Sequence, residues 1–161
     1  MKTALVPISF VLNGRPVQAE VEPRALLVHH LREDHRLVGA HVGCDTSQCG
    51  ACAVLLNGRA VKACTLLAVQ ADGADIVTIE GVAGPDGLHP VQEALHRHHG
   101  LQCGFCTPGM VICAIDMLAT EESLDESTIR HGLAGNICRC TGYQTIVDAI
   151  AEVAASGTKG A

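Results

Sequence analysis

Two closely spaced groups of cysteines constrain this chain more than any other feature of its sequence. Nine of its 161 residues are cysteine, and an odd number cannot pair off completely into disulfides. Cys138 and Cys140 flank a single arginine, and a disulfide across so short a ring would strain its torsion angle. The chain opens without a convincing secretory signal, so we expect a reducing, cytoplasmic compartment in which the cysteines bind metal.

The first group begins in the sequence GCDTSQCGACAV and includes one cysteine further along the chain. Its members are separated by four, then two, then eleven residues, which is the plant-type ferredoxin spacing for a 2Fe-2S cluster. Gly43 and Gly50 would let the backbone approach the sulfurs or adopt a positive φ, so that N–H groups stabilise the anionic cluster. A zinc site of four cysteines is the alternative, although zinc sites usually use two short pairs. The members are Cys44, Cys49, Cys52 and Cys64.

The second group consists of two short pairs, one in LQCGFCTPG and one in NICRCTGY. Each pair precedes a predicted helix, whose N-terminus carries partial positive charge and free N–H donors. An anionic iron–sulfur cluster between two such helix ends would be stabilised by both. Spacing alone does not separate this site from a zinc site, and the first group favours a second cluster here. The members are Cys103, Cys106, Cys138 and Cys140.

Other chemically active residues give weaker signals. Cys113 lies inside a predicted helix and is interpreted as a buried apolar residue. The histidines at 96, 98 and 99 are interpreted as solvated at a helix end. Phe105 and Tyr143 lie inside the cysteine motifs, which predicts that they line a site while the core is aliphatic. No phosphate loop, nucleophile elbow or acid–base pair is recognised, so we expect no catalytic site on the chain itself.

Charge and hydropathy argue against nucleic acid binding and against a membrane span, and they suggest contact with partners as one interpretation. The formal net charge of −6, with no run of Lys or Arg, argues against nucleic acid binding. No apolar run approaches the ~20 residues of a membrane span. Charged residues make up 17% of the chain, below the roughly 25% of soluble domains. Either part of the surface is hidden against partners, or the chain is a small soluble protein rich in alanine and valine.

The first half of the chain has the pattern of β-strands. Asn13-Gly14 and Asn57-Gly58 each lie between apolar runs and predict β-hairpins. A further strand is predicted at 74–80 and a helix after Pro23. The Gly- and Pro-containing stretch 82–87 predicts a domain boundary. We therefore expect a first domain at 1–82 and a second at 83–161.

The second half has helical periodicity and predicts four short helices that form a compact bundle. The helices are predicted in the segments 90–99, 107–119, 123–135 and 141–155. The first has Pro90 in its first turn. The others are expected to be capped by Thr107, by Ser123 with Glu126 as a capping box, and by Thr141 with Gln144, and Gly135 is expected to end the third helix.

The motifs GCDTSQCGAC, LQCGFCTPGM and GNICRCTGY, in this order, closely resemble those of one protein family. They are similar to the iron–sulfur subunits of the molybdenum hydroxylases, the xanthine oxidase family, including small subunits of aerobic carbon monoxide dehydrogenase and N-heterocycle dehydrogenases. The resemblance covers roughly residues 6–155 and implies an α+β chain, with a ferredoxin-like β-grasp domain followed by a four-helix bundle. It also implies two 2Fe-2S clusters. The distal cluster would take Cys44, Cys49, Cys52 and Cys64, and the proximal cluster Cys103, Cys106, Cys138 and Cys140.

The same resemblance implies two larger partners, one carrying the molybdopterin cofactor and one carrying FAD, usually in a dimer of heterotrimers. Gln102 and Cys140 would lie beside the pterin, and the face around them and Tyr143 would be buried in the complex. Electrons would pass from molybdenum through the proximal and then the distal cluster to FAD. A zinc-stabilised interaction module and a free-standing ferredoxin are the alternatives, although a ferredoxin would need only the first half of the chain.

Overall fold

The N-terminal half of the chain folds into a mixed β-sheet. The computed structural model describes residues 4–85 and 87–157. Within these residues the sheet has five strands in the order β2-β1-β5-β3-β4. Strands β1 and β5 are parallel, whereas the other neighbouring pairs are antiparallel. The strands are β1 (Val6–Leu12), β2 (Arg15–Val21), β3 (Ala53–Leu56), β4 (Arg59–Lys62) and β5 (Asp75–Val77).

Both predicted hairpins are confirmed, and their turns explain why. Asn13 and Gly14 have φ angles of 49° and 74°, and Asn57 and Gly58 have 50° and 79°. Two consecutive positive φ angles define the type I′ turn, whose twist matches that of the flanking strands. Asparagine and glycine adopt this left-handed conformation at lower cost than other residues.

Two elements of this half differ from the sequence prediction. The helix after Pro23 is one α-helical turn, α1 (Leu27–His29), which continues as a π-helical turn over His30–Asp34. The strand predicted at 74–80 ends at Val77. It ends there because the backbone N–H of Thr78 donates at 2.9 Å to the side-chain oxygen of Asn13 instead of continuing the ladder.

The C-terminal half contains helices in all four predicted segments. They are α2 (Pro90–Arg97), α3 (Thr107–Thr120), α4 (Glu126–Gly132) and α5 (Gln144–Ala155). A 3₁₀ turn, Leu133–Gly135, follows α4 directly. Helix α2 packs against α3 and α5, and α4 packs against α3 and α5.

The predicted caps of α3 and α4 are wrong. Thr107 is the first residue of α3 rather than its cap, and its buried hydroxyl has no hydrogen-bond partner among the described residues. Helix α4 is capped by Asp125, whose carboxylate accepts the backbone N–H of Thr128 at 2.7 Å. The pattern Ser123-x-x-Glu126 matches a capping box by spacing, but aspartate two residues later is an equally strong cap.

The caps of α2 and α5 also differ from the usual choices. His89 caps α2, because its Nδ1 accepts the backbone N–H of Val91 at 3.2 Å. Tyr143 precedes α5 with a φ of 71°, in the left-handed region. The prediction that Thr141 caps α5 is therefore wrong, although its Oγ1 accepts the backbone N–H of Tyr143 at 3.2 Å and supports this conformation.

Strand β3 separates two hydrophobic cores. Side chains alternate between the two faces of a strand. Val54 therefore packs into the core of the sheet with the first helical turn, while Ala53 and Leu55 pack into the core of the helices. Across residues 4–85 and 87–157, no helix is long and apolar enough to cross a membrane.

Candidate functional site

The fold brings the two cysteine groups side by side. The backbone N–H of Ile137 donates to the carbonyl oxygen of Cys49 at 2.9 Å, which joins the two cysteine-bearing loops by main-chain atoms. A cavity of about 280 Å³ lies at this junction. Its wall contains Gly43 and Cys49 from the first group together with the four cysteines of the second group, which are Cys103, Cys106, Cys138 and Cys140.

The loop of the first group surrounds one sulfur with backbone donors. The Sγ atom of Cys44 accepts the backbone N–H groups of Thr46, Gln48 and Cys49 at 3.4, 3.3 and 3.4 Å. These donors, that of Thr46 foremost, lower the pKa of the Cys44 thiol to about 6. Hydrogen bonds to the charged form favour that form. The loop is therefore arranged to hold a thiolate at Cys44.

Two of the other three cysteines of the first group lie deeper. Cys52 and Cys64 are both buried. Burial is the main cause that raises the pKa of the Cys52 thiol to about 12, and contact with the Cys64 side chain is a smaller one. The 3₁₀ turn after β4 carries Cys64, and the backbone N–H of Ala63 donates to the carbonyl oxygen of Cys52 at 3.3 Å. The short β3–β4 hairpin thus returns the fourth cysteine to the loop, as its position after the second hairpin predicts.

The second group forms two sulfur pairs. The Sγ atoms of Cys103 and Cys140 are 3.6 Å apart and both side chains are exposed. Hydrogen bonding to Cys103 raises the pKa of Cys140. In the second pair, Cys106 contacts Cys138. Burial is the main cause that raises the pKa of the Cys106 thiol to about 12, and the contact with Cys138 is the second cause. Each pair therefore combines one cysteine from the CGFC motif, residues 103–106, with one from the CRC motif, residues 138–140.

Tyr143 holds the CRC motif in place. Its hydroxyl accepts the backbone N–H of Cys138 at 2.8 Å and donates to the carbonyl oxygen of Asn136 at 3.1 Å. Burial opposes ionisation of Cys138, but hydrogen bonds from Thr141 and neighbouring groups outweigh it and lower its pKa. The Sγ of Cys138 lies 3.1 Å from the Thr141 hydroxyl. Tyr143 therefore contacts the second cysteine group, and its hydroxyl links the main chain at Asn136 to that at Cys138.

The other predicted aromatic residue, Phe105, lies between the two loops. Its ring stacks on His41 with centroids 4.6 Å apart and an interplanar angle of 17°. The Nδ1–H group of His41 donates to the carbonyl oxygen of Phe105 at 2.8 Å. His41 precedes the first cysteine loop and was not recognised from sequence, because a single histidine three residues before a cysteine has no distinctive pattern.

Three glycines allow the loops to approach this closely. A Cβ atom on Gly43 would lie 3.0 Å from the Cys49 sulfur and 3.2 Å from the Phe105 ring. Gly50 has a φ of +72°. A Cβ atom on Gly109, in the first turn of α3, would lie 2.3 Å from the carbonyl oxygen of Gly50. The expected close approach is confirmed at Gly43, and the expected positive φ is confirmed at Gly50. Gly109 was not predicted.

The other residues singled out from the sequence are Gln102, Cys113 and the histidines at the end of α2. Gln102 is exposed next to Cys103. Cys113 is half-buried, and its Sγ lies 3.5 Å from the carbonyl oxygen of Gly132. Of the histidines predicted to be solvated, those at 96 and 99 are exposed. His98 is partly exposed, and its Nε2 lies 2.5 Å from a carboxylate oxygen of Glu152 on α5.

The sulfur geometry of the second group is compatible with a 2Fe-2S cluster. Two thiolates on one tetrahedral metal with metal–sulfur bonds of ~2.3 Å are about 3.8 Å apart, close to the 3.6 Å between Cys103 and Cys140. A mononuclear site would gather all of its ligands at that spacing. Over the described residues, however, no three His, Cys, Asp or Glu side chains are placed to hold a single ion. The thiols of the second group come in twos instead, as a cluster of two irons requires.

Comparison with known proteins assigns both halves of the chain. Residues 10–76 match the 2Fe-2S iron–sulfur cluster binding domain family. Residues 78–151 match a second family, described as a 2Fe-2S binding domain. The small subunit of nicotine 6-hydroxylase from Paenarthrobacter nicotinovorans is 46% identical over 91% of this chain and 88% of its own length. The chain belongs to the small iron–sulfur subunits of the molybdenum hydroxylase family.

Other members of this family have similar sequences and structures. The gamma subunit of caffeine dehydrogenase from Pseudomonas sp. (strain CBB1) is 44% identical over 91% of this chain and 89% of that subunit. A crystal structure of quinoline 2-oxidoreductase from Pseudomonas putida 86 contains a chain with a TM-score of 0.89 and 44% identity. The match covers 95% of this chain and 98% of that one. Family members of this size are thus subunits of oxidoreductases, and this chain has two 2Fe-2S binding domains.

Proposed function

We propose that this subunit relays electrons from a molybdenum cofactor to FAD, each of which is bound by a separate partner subunit. The observation that carries the proposal is the hydrogen bond between Ile137 and Cys49, because it joins two cysteine groups that each fit a 2Fe-2S cluster. When bound, such clusters accept and release single electrons at potentials set by their surroundings.

The ligand sets follow from the two groups. Backbone donors around Cys44 and burial of Cys52 support a first cluster in the loop that precedes β3. The sulfur pairs of the CGFC and CRC motifs support a second cluster at the N-terminus of α3. The first cluster would be bound by Cys44, Cys49, Cys52 and Cys64, and the second by Cys103, Cys106, Cys138 and Cys140.

The exposed side of the second group is proposed as the face toward the molybdenum subunit. Cys140 and Gln102 are exposed here and would lie beside the pterin. Phe105 and Ile137, at the same cavity, are 47% and 54% exposed. Large apolar side chains grouped around a cofactor site indicate a surface that a partner covers. We therefore place the entry of electrons at the second cluster and their exit to FAD at the first.

The assembly proposed is a dimer of heterotrimers in the cytoplasm, each with a large molybdenum subunit, a medium FAD subunit and this chain. Relatives named as the small subunit of nicotine 6-hydroxylase and the gamma subunit of caffeine dehydrogenase support a multi-subunit complex. In this arrangement residues 1–82 form a ferredoxin-like β-grasp domain. Residues 83–161 form a four-helix bundle, supported by the mutual packing of α2, α3, α4 and α5.

The proposal is tested by replacing one proposed ligand of the first cluster in the purified complex. Wild-type protein is expected to contain about four irons per chain, two for each cluster. Cys49→Ser should reduce this to about two and remove one of two EPR signals after dithionite reduction. Cys113→Ser makes the same chemical change outside both groups and should keep all four irons. Zinc in place of iron, or two or fewer irons in fully loaded wild-type protein, would contradict the proposal.

The direction of electron flow needs a kinetic measurement. Screening N-heterocycles and aldehydes would first identify an oxidisable substrate of the complex. On rapid mixing with that substrate, Cys49→Ser should still reduce the second cluster, whereas flavin reduction should be slow or absent. Fast flavin bleaching without the first cluster would mean that electrons bypass it.

A further inference from the structure

Lys62 places an ammonium group behind the first cysteine loop. It is the only lysine in the described part of the chain, residues 4–85 and 87–157, and it is half-buried at the end of β4. Its Nζ donates to the carbonyl oxygen of Ser47 at 2.7 Å. A Cβ atom on Gly135, three residues before Cys138, would lie 3.1 Å from the same Nζ. The ammonium group therefore lies between the two cysteine-bearing segments.

One peptide group connects Lys62 to the sulfur of Cys44. The carbonyl of Ser47 and the backbone N–H of Gln48 belong to the same amide. The oxygen of this amide accepts from Lys62, while its N–H donates to the Cys44 Sγ at 3.3 Å. Hydrogen bonds in series polarise one another, so a cation on the oxygen makes the N–H a stronger donor.

No carboxylate of residues 4–85 and 87–157 forms a salt bridge with this cation. Lys62 has no salt bridge within residues 4–85 and 87–157, whereas Arg59 on the same strand pairs with Asp116 at 2.8 Å. A half-buried ammonium group is costly unless an anion lies nearby. Here the Ser47 carbonyl meets it directly, and the thiolate of Cys44 lies on the other side of the same peptide.

We propose that Lys62 is a positioning residue that raises the reduction potential of the first 2Fe-2S cluster through the Ser47–Gln48 peptide. The inference rests on the proposed assignment of Cys44 as a ligand. Reduction adds negative charge to the cluster, and a stronger N–H donor to a ligand sulfur stabilises that added charge. Hydrogen bonds to cluster sulfurs set such potentials in general.

The test is an EPR-monitored redox titration of the purified complex. The signal lost in Cys44→Ser identifies the first cluster. Lys62→Met, which removes the charge and the donor, should shift the midpoint potential of that signal to a more negative value. Lys62→Arg keeps both and should stay close to wild type. Arg24→Met removes one positive charge from a side chain that is 84% exposed, and it should leave the potential unchanged.

A second neutral variant keeps the test informative if Lys62→Met loses the cluster. Lys62→Gln keeps a donor for the Ser47 carbonyl without the charge and should shift the potential in the same direction by less. An unchanged potential in either neutral variant would overturn the proposal, as would an equal shift in Arg24→Met. Loss of the cluster from both neutral variants would also overturn it, in favour of a purely structural role. Failure of the proposed function itself would be seen separately, as wild-type protein without iron.

Discussion

The backbone N–H of Ile137 lies 2.9 Å from the carbonyl oxygen of Cys49 and donates a hydrogen bond to it. Ile137 directly precedes Cys138 of the second group, and Cys49 is a member of the first group. Because the link uses only main-chain atoms, its geometry depends on how closely the two loops approach rather than on which side chains they carry. Any change that separates the loops should therefore affect both groups at once.

Gly109→Ala is expected to damage both cluster sites. The added Cβ would lie 2.3 Å from the carbonyl oxygen of Gly50. Because the atom it meets belongs to the main chain, the first turn of α3 and the loop at Gly50 would have to move apart. Overpacking of this kind typically costs 1–3 kcal/mol, a rough value for buried sites. We expect a lower melting temperature and reduced intensity of both EPR signals in the reduced complex.

Gly84→Ala is the matched control for this substitution. Gly84 has an ordinary φ, and no atom lies within 4 Å of the position that its Cβ would occupy. The control should therefore keep the wild-type melting temperature and iron content. Equal loss in the two variants would mean that the contact between Gly109 and Gly50 has no special role.

Tyr143→Phe is expected to weaken the second cluster selectively. The substitution removes the hydroxyl that links the Cys138 N–H to the Asn136 carbonyl. A partly buried backbone donor left without a partner costs roughly 1–3 kcal/mol. Incubation with an iron chelator should release the second cluster faster than in wild type. The first cluster in the same molecule is the internal reference, and equal acceleration at both would argue for general destabilisation.

Ile137→Asp is expected to weaken assembly with the larger subunits. The side chain is 54% exposed at the cavity between the cysteine groups, so a carboxylate should be tolerated in the free chain but not in an apolar interface. Leu5→Asp is the control, since Leu5 is similarly exposed, at 51%, on the residue preceding β1. Size-exclusion chromatography after co-expression should show free small subunit only for Ile137→Asp. Identical elution of both variants as intact complex would exclude Ile137 from the interface.

His89 should make the stability of α2 depend on pH. Its Nδ1 accepts the Val91 N–H only when that nitrogen is unprotonated, and burial lowers the pKa of His89 from 6.5. The unfolded chain therefore binds more protons as the pH falls through 6.5, and folded-state stability decreases until the lowered folded pKa is passed. The stabilisation is fully present above pH 6.5.

His89→Asn tests this prediction, because asparagine caps helices without titrating in this range. Between pH 7.5 and pH 5, the melting temperature of wild type should fall more than that of the variant. The difference corresponds to the loss of one cap, about 1 kcal/mol. Parallel curves for the two proteins would show that His89 remains neutral or that its cap contributes nothing.

The sequence predicts the strongly patterned features of this fold well. The Asn-Gly turns, the helical segments and the eight clustered cysteines each combine a residue type with a spacing that few other structures require. Helix caps were predicted poorly, because Ser123 and Asp125 compete within three residues and only the surrounding packing decides between them. The link from Lys62 to Cys44 could not be predicted, because it joins β4 to a distant loop and depends on Asp45 and Ser47 adopting positive φ angles.

The alternation along β3 limits how members of this family can be recombined. Val54 belongs to one core, while Ala53 and Leu55 belong to the other, so this strand is shared between the two halves. A chimera with its crossover near residue 82 would join helices from one parent to a β3 from another, and their contact surfaces would not match. A crossover placed before β3 would transfer the strand together with the helices that pack on it.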